Sequence, residues 1–234
     1  MDRRLRCSAL LFCCTVAGTP AVAAAPTVPS ISTLLASGPD MLGTRAVPIK
    51  ADRFAVYLQR AREDASASPL LQQLIAPARS LPALQKIAFV QRAVTASIHW
   101  ISDATEWGQH EYWASASQTL ARGAGDTEDR AIVKLHALRA LGFNNSDLFL
   151  TLARDRVSGP LTVLTVRSGG HYYVLDDTGG APFPVEQRSF EFQPIMSFGM
   201  YGAWVHVRST PAPHSAPSST IAAVSASTSS GGHK

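Results

Sequence analysis

The chain has 234 residues, 46% of them hydrophobic and 16% charged, enough for one domain with a substantial core and flexible ends. Its formal charge of +4 falls to +2 once residues 1–25 are set aside, so no basic patch argues for a nucleic-acid partner. Cys7, Cys13 and Cys14 are all the cysteines there are and all lie within those residues, which excludes from the remainder a disulfide framework, a Cys-ligated metal and a thiol nucleophile.

Residues 1–25 read as an export signal. "MDRRLR" is a basic n-region, "CSALLFCCTVAG" a short apolar stretch, and "TPAVAAA" a run of small residues suited to cleavage near Ala23 or Ala25. The apolar run is too short for a spanning helix, so the expected location is periplasmic or secreted, with no membrane span after cleavage. Residues 26–40 read as an irregular leader. Residues 209–234, Ser/Ala/Pro-rich and nearly uncharged, are expected to be a disordered tail holding His214 and His233. The folded unit is then expected over residues 41–208.

Within it, "ADRFAVYLQRARED" spaces Phe54, Val56, Leu58 and Ala61 for a helix that Asp52 can cap. "LLQQLIAPAR" predicts a short helix stopped or kinked at Pro77. From Pro82, apolar residues recur at Leu84, Ile87, Val90, Val94 and Ile98, the rhythm of a long amphipathic helix. Ser102–Leu120 is aromatic and irregular. A helix over Glu128–Leu141 follows, with Ile132, Leu135, Leu138 and Leu141 on one face and Gly142 as its stop. His136 falls beside that face.

The period then changes to two. "DLFLTLARD", "LTVLTVRS" and "HYYVLDD" read as strands, the last two joined as a hairpin by "SGG", and "AWVHV" as a final strand. Helices first and strands second predict an α+β domain with helices packed on an antiparallel sheet.

Three stretches, "EYW" (111–113), "LARGAGDTEDRAIVKLHALRALG" (120–142) and "LTVLTVRSGGHYYVLDD" (161–177), resemble the bacterial transglutaminase-like cysteine proteinases. These are exported proteins related to a periplasmic protease that clips biofilm adhesins. The resemblance implies a transglutaminase-like, papain-like α+β fold. It also implies a catalytic Cys–His–Asp triad, whose Cys opens the helix in Gly-Asp-Cys-Glu-Asp. Here that stretch is Gly125-Asp126-Thr127-Glu128-Asp129, so Thr127 takes the Cys position. The family's His-Ala-Val-Leu-type strand, laid on "LTVLTVR", puts Leu161 at the His position. Its Val-Leu-Asp-Asn segment matches Val174-Leu175-Asp176-Asp177, keeping Asp176 as the acid.

These substitutions have chemical consequences. A helix N-terminus helps a thiol ionise, whereas a Thr hydroxyl needs a strong neighbouring base. Leu161 cannot be one, and Asp176 has no imidazole to orient. An alternative active hydrolase would use Thr127 as nucleophile with His171 or His110 as base. Strand geometry counts against His171: five residues from Asp176, it points to the opposite face, roughly 16 Å away. His99 and His110 in the aromatic segment are candidates to line a cleft, whereas Trp100, Trp107, Tyr112 and Trp113 read first as core or loop-packing residues; the resemblance implies that part of this segment borders the cleft.

Acids at the first turn are favoured by the helix dipole, and Asp126 or Thr127 can cap the helix. In calcium-dependent relatives the acids flanking the nucleophile help hold the ion, so the resemblance implies a calcium site at Asp126 and Glu128. The expected function is that of an exported, catalytically silent homologue binding a peptide or protein partner in the periplasm.

Overall fold

The computed structural model describes residues 39–188 and 191–208, so the expected signal, most of the leader, and the tail with its two histidines lie outside the described residues. Two strands within residues 40–49 precede the helices, which the sequence reading did not predict; from residue 55 onward the chain runs broadly from helices to strands, as the change of period predicts. Helix α1 (Ala55–Ala61) and helix α2 (Pro69–Ile75) precede the long α3 (Ala83–Ser97). Ser68 caps α2, its hydroxyl accepting from the Leu71 amide. Pro82 enters α3 at its N-cap. Ile87, Val90 and Val94 of α3 are buried, whereas Leu84 and, in α1, Val56 face solvent. Asp52 lies inside a 3-10 turn that leads into α1 instead of capping it.

The stretch Ser102–Leu120 holds more regular structure than its composition predicts. It contains α4 (Asp103–Glu106) and the start of α5 (Ala116–Arg122). A capping box opens α5, Ser115 and Gln118 each satisfying the other's backbone N–H. Gly123, left-handed at φ 65°, closes it.

Helix α6 (Thr127–Ala140) is the centre of the molecule. Its N-cap is Asp126, whose side chain makes no capping bond. Four residues on one face understate its burial, because Glu128–Lys134 and His136–Leu138 are all enclosed. The helix is surrounded by the sheet on one side and by α3 and α5 on the others. His136 is therefore buried, its Nε2 2.9 Å from the Ala61 carbonyl oxygen. Burial lowers its affinity for a second proton.

An eight-stranded antiparallel sheet supports α6. Its strands are β1 (Asp40–Met41), β2 (Thr44–Ile49), β5 (Leu148–Asp155), β6 (Gly159–Ser168), β7 (His171–Leu175), β8 (Phe183–Pro184), β9 (Phe192–Phe198) and β10 (Ala203–Val207). They lie in the order β1-β2-β10-β9-β5-β6-β7-β8. A separate parallel pair joins β3 (His99–Trp100) to β4 (Ala124–Gly125). The sequence signal for β2 and β9 is masked by Pro48 and Pro194, residues that cannot donate to a ladder. Pro194 follows an irregularity in the β5–β9 pairing between Leu152 and Ala153, which accommodates it.

Alternation divides the sheet's side chains between two cores. Leu164 and Val166 of β6 and Leu175 of β7 join the helices in one cluster. Val163, Val174, Phe149 and Phe192 form the other, on the far face, with Leu161 packed against it. This division determines which strand residues can reach the start of α6.

Candidate functional site

Thr127 is half-buried at the first turn of α6. Its hydroxyl donates to Glu128 Oε2 at 2.9 Å and accepts from the Thr162 backbone N–H at 3.1 Å. No histidine is among these partners. His171 pairs with Ser168, six residues along β6 from Thr162, a separation of about 20 Å. His110 and His99 are exposed, His99 lying alongside Ala124 in the β3–β4 pair.

The structure brings Thr162, not Leu161, to Thr127. Leu161 packs on the far-face cluster, and Thr162 shares the helix-facing side of β6 with Leu164 and Val166. Neither residue carries a base. The register does not extend to the acid. The β6–β7 pairing ends where Leu164 meets Leu175, two residues short of Asp177. Asp176 instead turns the chain after β7. Its Oδ1 accepts from the Thr178 amide at 3.1 Å, the Thr178 hydroxyl at 2.8 Å and Gln91 Nε2 at 3.2 Å.

Asp177 is held by cations from α6. Arg130 Nη1 donates to its Oδ2 at 2.8 Å, and Lys134 Nζ lies 3.8 Å from its Oδ1. Arg130 also donates to the Ile98 carbonyl at 2.6 Å, and Lys134 to the Asp176 carbonyl at 2.6 Å. Burial pulls the Lys134 ammonium down to about 8, against the pull of Asp177 and Asp176.

On the other side of Thr127 the structure assembles carboxylates. Asp126, Glu128 and Asp129 come from the start of α6, and Asp103, Glu106 and Glu111 from the segment beginning at α4. The Tyr112 amide donates to Asp103, the Ala114 amide to Asp129 Oδ1 at 2.8 Å, and Trp113 Nε1 to Glu111 Oε1 at 2.8 Å. The segment is pinned by an aromatic stack. Trp107 and Tyr112 lie 4.4 Å apart, with Arg122 over the first ring at 4.3 Å and Arg60 over the second at 4.2 Å. Arg122 also pairs with Glu106.

Among the described residues no basic side chain forms an ion pair with Asp103, Glu111, Asp126, Glu128 or Asp129. Buried oxygens Asp103 Oδ1, Glu106 Oε2, Asp126 Oδ1 and Asp129 Oδ2 have no hydrogen-bond donor. Burial, with repulsion from neighbouring carboxylates, raises Asp126 and Glu128 well above the usual carboxylate range. Burial is also the main cause lifting Asp129, to about 8. Hard, donor-poor oxygens crowded without counter-charge fit a divalent cation of the calcium type. The sequence signal covered the acids beside Thr127; the partners from residues 103–111 gave none, because only the fold brings them across.

Gly125 permits this crowding. A Cβ there would lie 2.7 Å from both Asp129 Cβ and Asp129 Oδ2, and 3.1 Å from Thr119 Cγ2. Gly125→Ala should cost about 1–3 kcal/mol in urea-unfolding experiments, as overpacking does in other cores. A change within a few tenths of a kcal/mol would mean that Asp129 can swing away freely.

The model of the family described as bacterial transglutaminase-like cysteine proteinases matches residues 47–212. The chain belongs to that family. The fold agrees with solved structures of Legionella pneumophila LapG. One is 21% identical, with a TM-score of 0.51 over 68% of this chain and 90% of that one. The calcium-bound form is 21% identical, with a TM-score of 0.51 over 71% and 94%. An EGTA-treated form is 20% identical, with a TM-score of 0.51 over 69% and 88%. No curated protein matches. In family terms the structure is mixed helices and antiparallel sheet, as the transglutaminase-like fold requires.

Exposure separates the aromatic residues into core and surface. Trp113 is 2% exposed and belongs to the core, touching the rings of Tyr57 and Phe198. Trp100, paired with Gly125 across β3–β4, is 60% exposed beside the start of α6.

Proposed function

We propose that this protein is an exported, calcium-binding member of the family that does not cleave peptides and binds a peptide or protein partner over the start of α6. One observation carries the reading: the Thr127 hydroxyl is bonded to Glu128 and the Thr162 amide, with no imidazole partner among the described residues. A hydroxyl cannot attack an amide without a group to take its proton. The hydrogen bond at 2.9 Å makes Glu128 the one base available to a second reading, a threonine hydrolase. Burial favours its protonated form, and a bound cation would occupy its oxygens, so neither state leaves it free to act.

Calcium is supported by the orphaned oxygens of Asp103, Asp126 and Asp129, and by the calcium-bound form of Legionella pneumophila LapG. Asp103, Glu111, Asp126, Glu128 and Asp129 would hold it, supplying charge neutralisation and rigidity at the start of α6. Trp100 offers an exposed aromatic face for the partner. Export rests on the amino-terminal pattern of residues 1–25.

The test combines cleavage with binding. The purified protein should release no product from a peptide library, and Thr127→Cys should remain inactive for want of a base. Cleavage by the wild type that Thr127→Val abolishes would overturn the silent assignment. On peptide arrays, Trp100→Ala should weaken binding about tenfold, the order expected for an exposed aromatic anchor. Equal binding by both proteins would remove the partner surface from the reading.

A further inference from the structure

The hairpin of β5 and β6 extends past the start of α6. In the sheet register Leu152 of β5 lies between Thr162 of β6 and Met196 of β9, and Leu152 and Met196 pack on the helix side. The Thr162 amide of that row holds the Thr127 hydroxyl. The next helix-side row is Pro160, Arg154 and Gln193. On β5 it lies two residues, or roughly 7 Å, further out. Thr162 is buried, whereas all three members of the outer row are exposed. They line an open hollow of about 530 Å³ at the end of the hairpin.

The charge of this hollow is opposite to that of the carboxylates beside Thr127. Its two acids, Asp155 and Glu191, are both engaged by Arg188, at 3.1 Å and 2.9 Å. Arg154 and Arg156 form no ion pair among the described residues. Hydrogen bonds fix the hairpin's end. Asp155 Oδ1 accepts from the Val157 amide at 2.9 Å and the Ser158 amide at 3.0 Å. The Arg156 amide donates to the Glu191 carbonyl at 2.9 Å. Arg154 thus stands on a pinned strand, one row beyond Thr162, with its guanidinium uncommitted to any carboxylate. A planar guanidinium in that position suits a carboxylate, which it can hold through two parallel bonds.

We propose that this hollow receives an Asp or Glu side chain of the partner that lies over the start of α6, and that Arg154 selects it. The proposal rests on the partner reading above and adds the partner's chemistry to it. The carboxylates beside Thr127 repel a negative group, so the Arg154 side is where one can sit. A bound segment then meets Trp100 with an apolar or aromatic residue and Arg154 with an acid.

Short-peptide arrays of random sequence, probed with the whole protein in calcium chloride, test this. Bound sequences should be enriched in Asp and Glu. In fluorescence-anisotropy titrations each recovered peptide should bind Arg154→Gln about tenfold more weakly than the wild type. Changing the peptide's acid to its amide should weaken the wild type by the same factor and leave Arg154→Gln unmoved, the signature of one shared pair. Arg154→Glu should instead prefer peptides carrying Lys or Arg. Arg154 is exposed, so its variants keep the fold, which far-ultraviolet circular dichroism verifies. Peptides that depend on Trp100 but bind Arg154→Gln as well as the wild type would overturn this site and leave the partner reading standing. Bound sequences without acidic preference would do the same. No bound peptide at all would overturn both.

Discussion

Saturating calcium should raise the melting temperature by about 5–10 °C at pH 8, and by clearly less at pH 5. A ligand at a hundred times its dissociation constant stabilises the native state by about 2.7 kcal/mol. In a domain of this size each kcal/mol moves the midpoint by about 2–4 °C. The pH dependence follows from the raised acids. Asp126, Glu128 and Asp129 bind protons more tightly folded than unfolded, Asp129 up to about 8. Between about pH 4 and pH 9 the metal-free native state therefore holds more protons than the unfolded chain. Its stability falls as pH rises through that window. Calcium replaces those protons. At pH 5 it must displace them all, and at pH 8 about half remain to be displaced. Calorimetric scans in EGTA and in calcium at the two pH values measure the difference. A shift as large at pH 5 as at pH 8 would show that the ion binds away from these carboxylates.

The sequence carried the scaffold of this site further than its geometry. The start of α6 was legible because small residues, an acidic first turn and a long apolar rhythm occur together at Gly125–Leu138. The central position of that helix was not. Periodicity reports the most apolar face, and the polar faces of α6 are buried through particular pairings such as Lys134 with the Asp176 carbonyl. Matching "LTVLTVR" and "VLDD" to the family's segments gave Leu161 and Asp176; in the fold Leu161 packs on the far face and Thr162 on the helix side, while Asp176 meets Gln91 of α3 and Asp177 meets Arg130 and Lys134 of α6. A strand's period of two makes a one-residue step a change of face, and short segment matching does not determine the step. The acids at Asp103 and Glu111 were hidden for a different reason. They reach Asp126–Asp129 through tertiary contacts such as the Ala114 amide on Asp129, which have no local signature.

Asp177→Ala should destabilise the protein by about 3–5 kcal/mol, the cost of leaving buried charge without its partner. The Arg130 and Lys134 side chains are 8% and 1% exposed, and Asp177 is the carboxylate that both face. Removing it strands two cations beneath β6 and β7, where water cannot replace the lost oxygens. A surface pair supplies the control. Arg167 and Asp147, whose side chains are 50% and 21% exposed, meet at 2.7 Å, and Asp147→Ala should cost no more than about 1 kcal/mol. Urea titrations of the two variants, at low and at high salt, separate the cases, since screening reaches the exposed pair and not the buried one. The result also bears on chemistry. The oxygens of Asp177 are committed to Arg130 and Lys134, which leaves them unavailable to orient an imidazole. If Asp177→Ala proves nearly neutral, that carboxylate is held for something other than the fold, and the silent reading of this site loses its structural explanation for why an acid persists there.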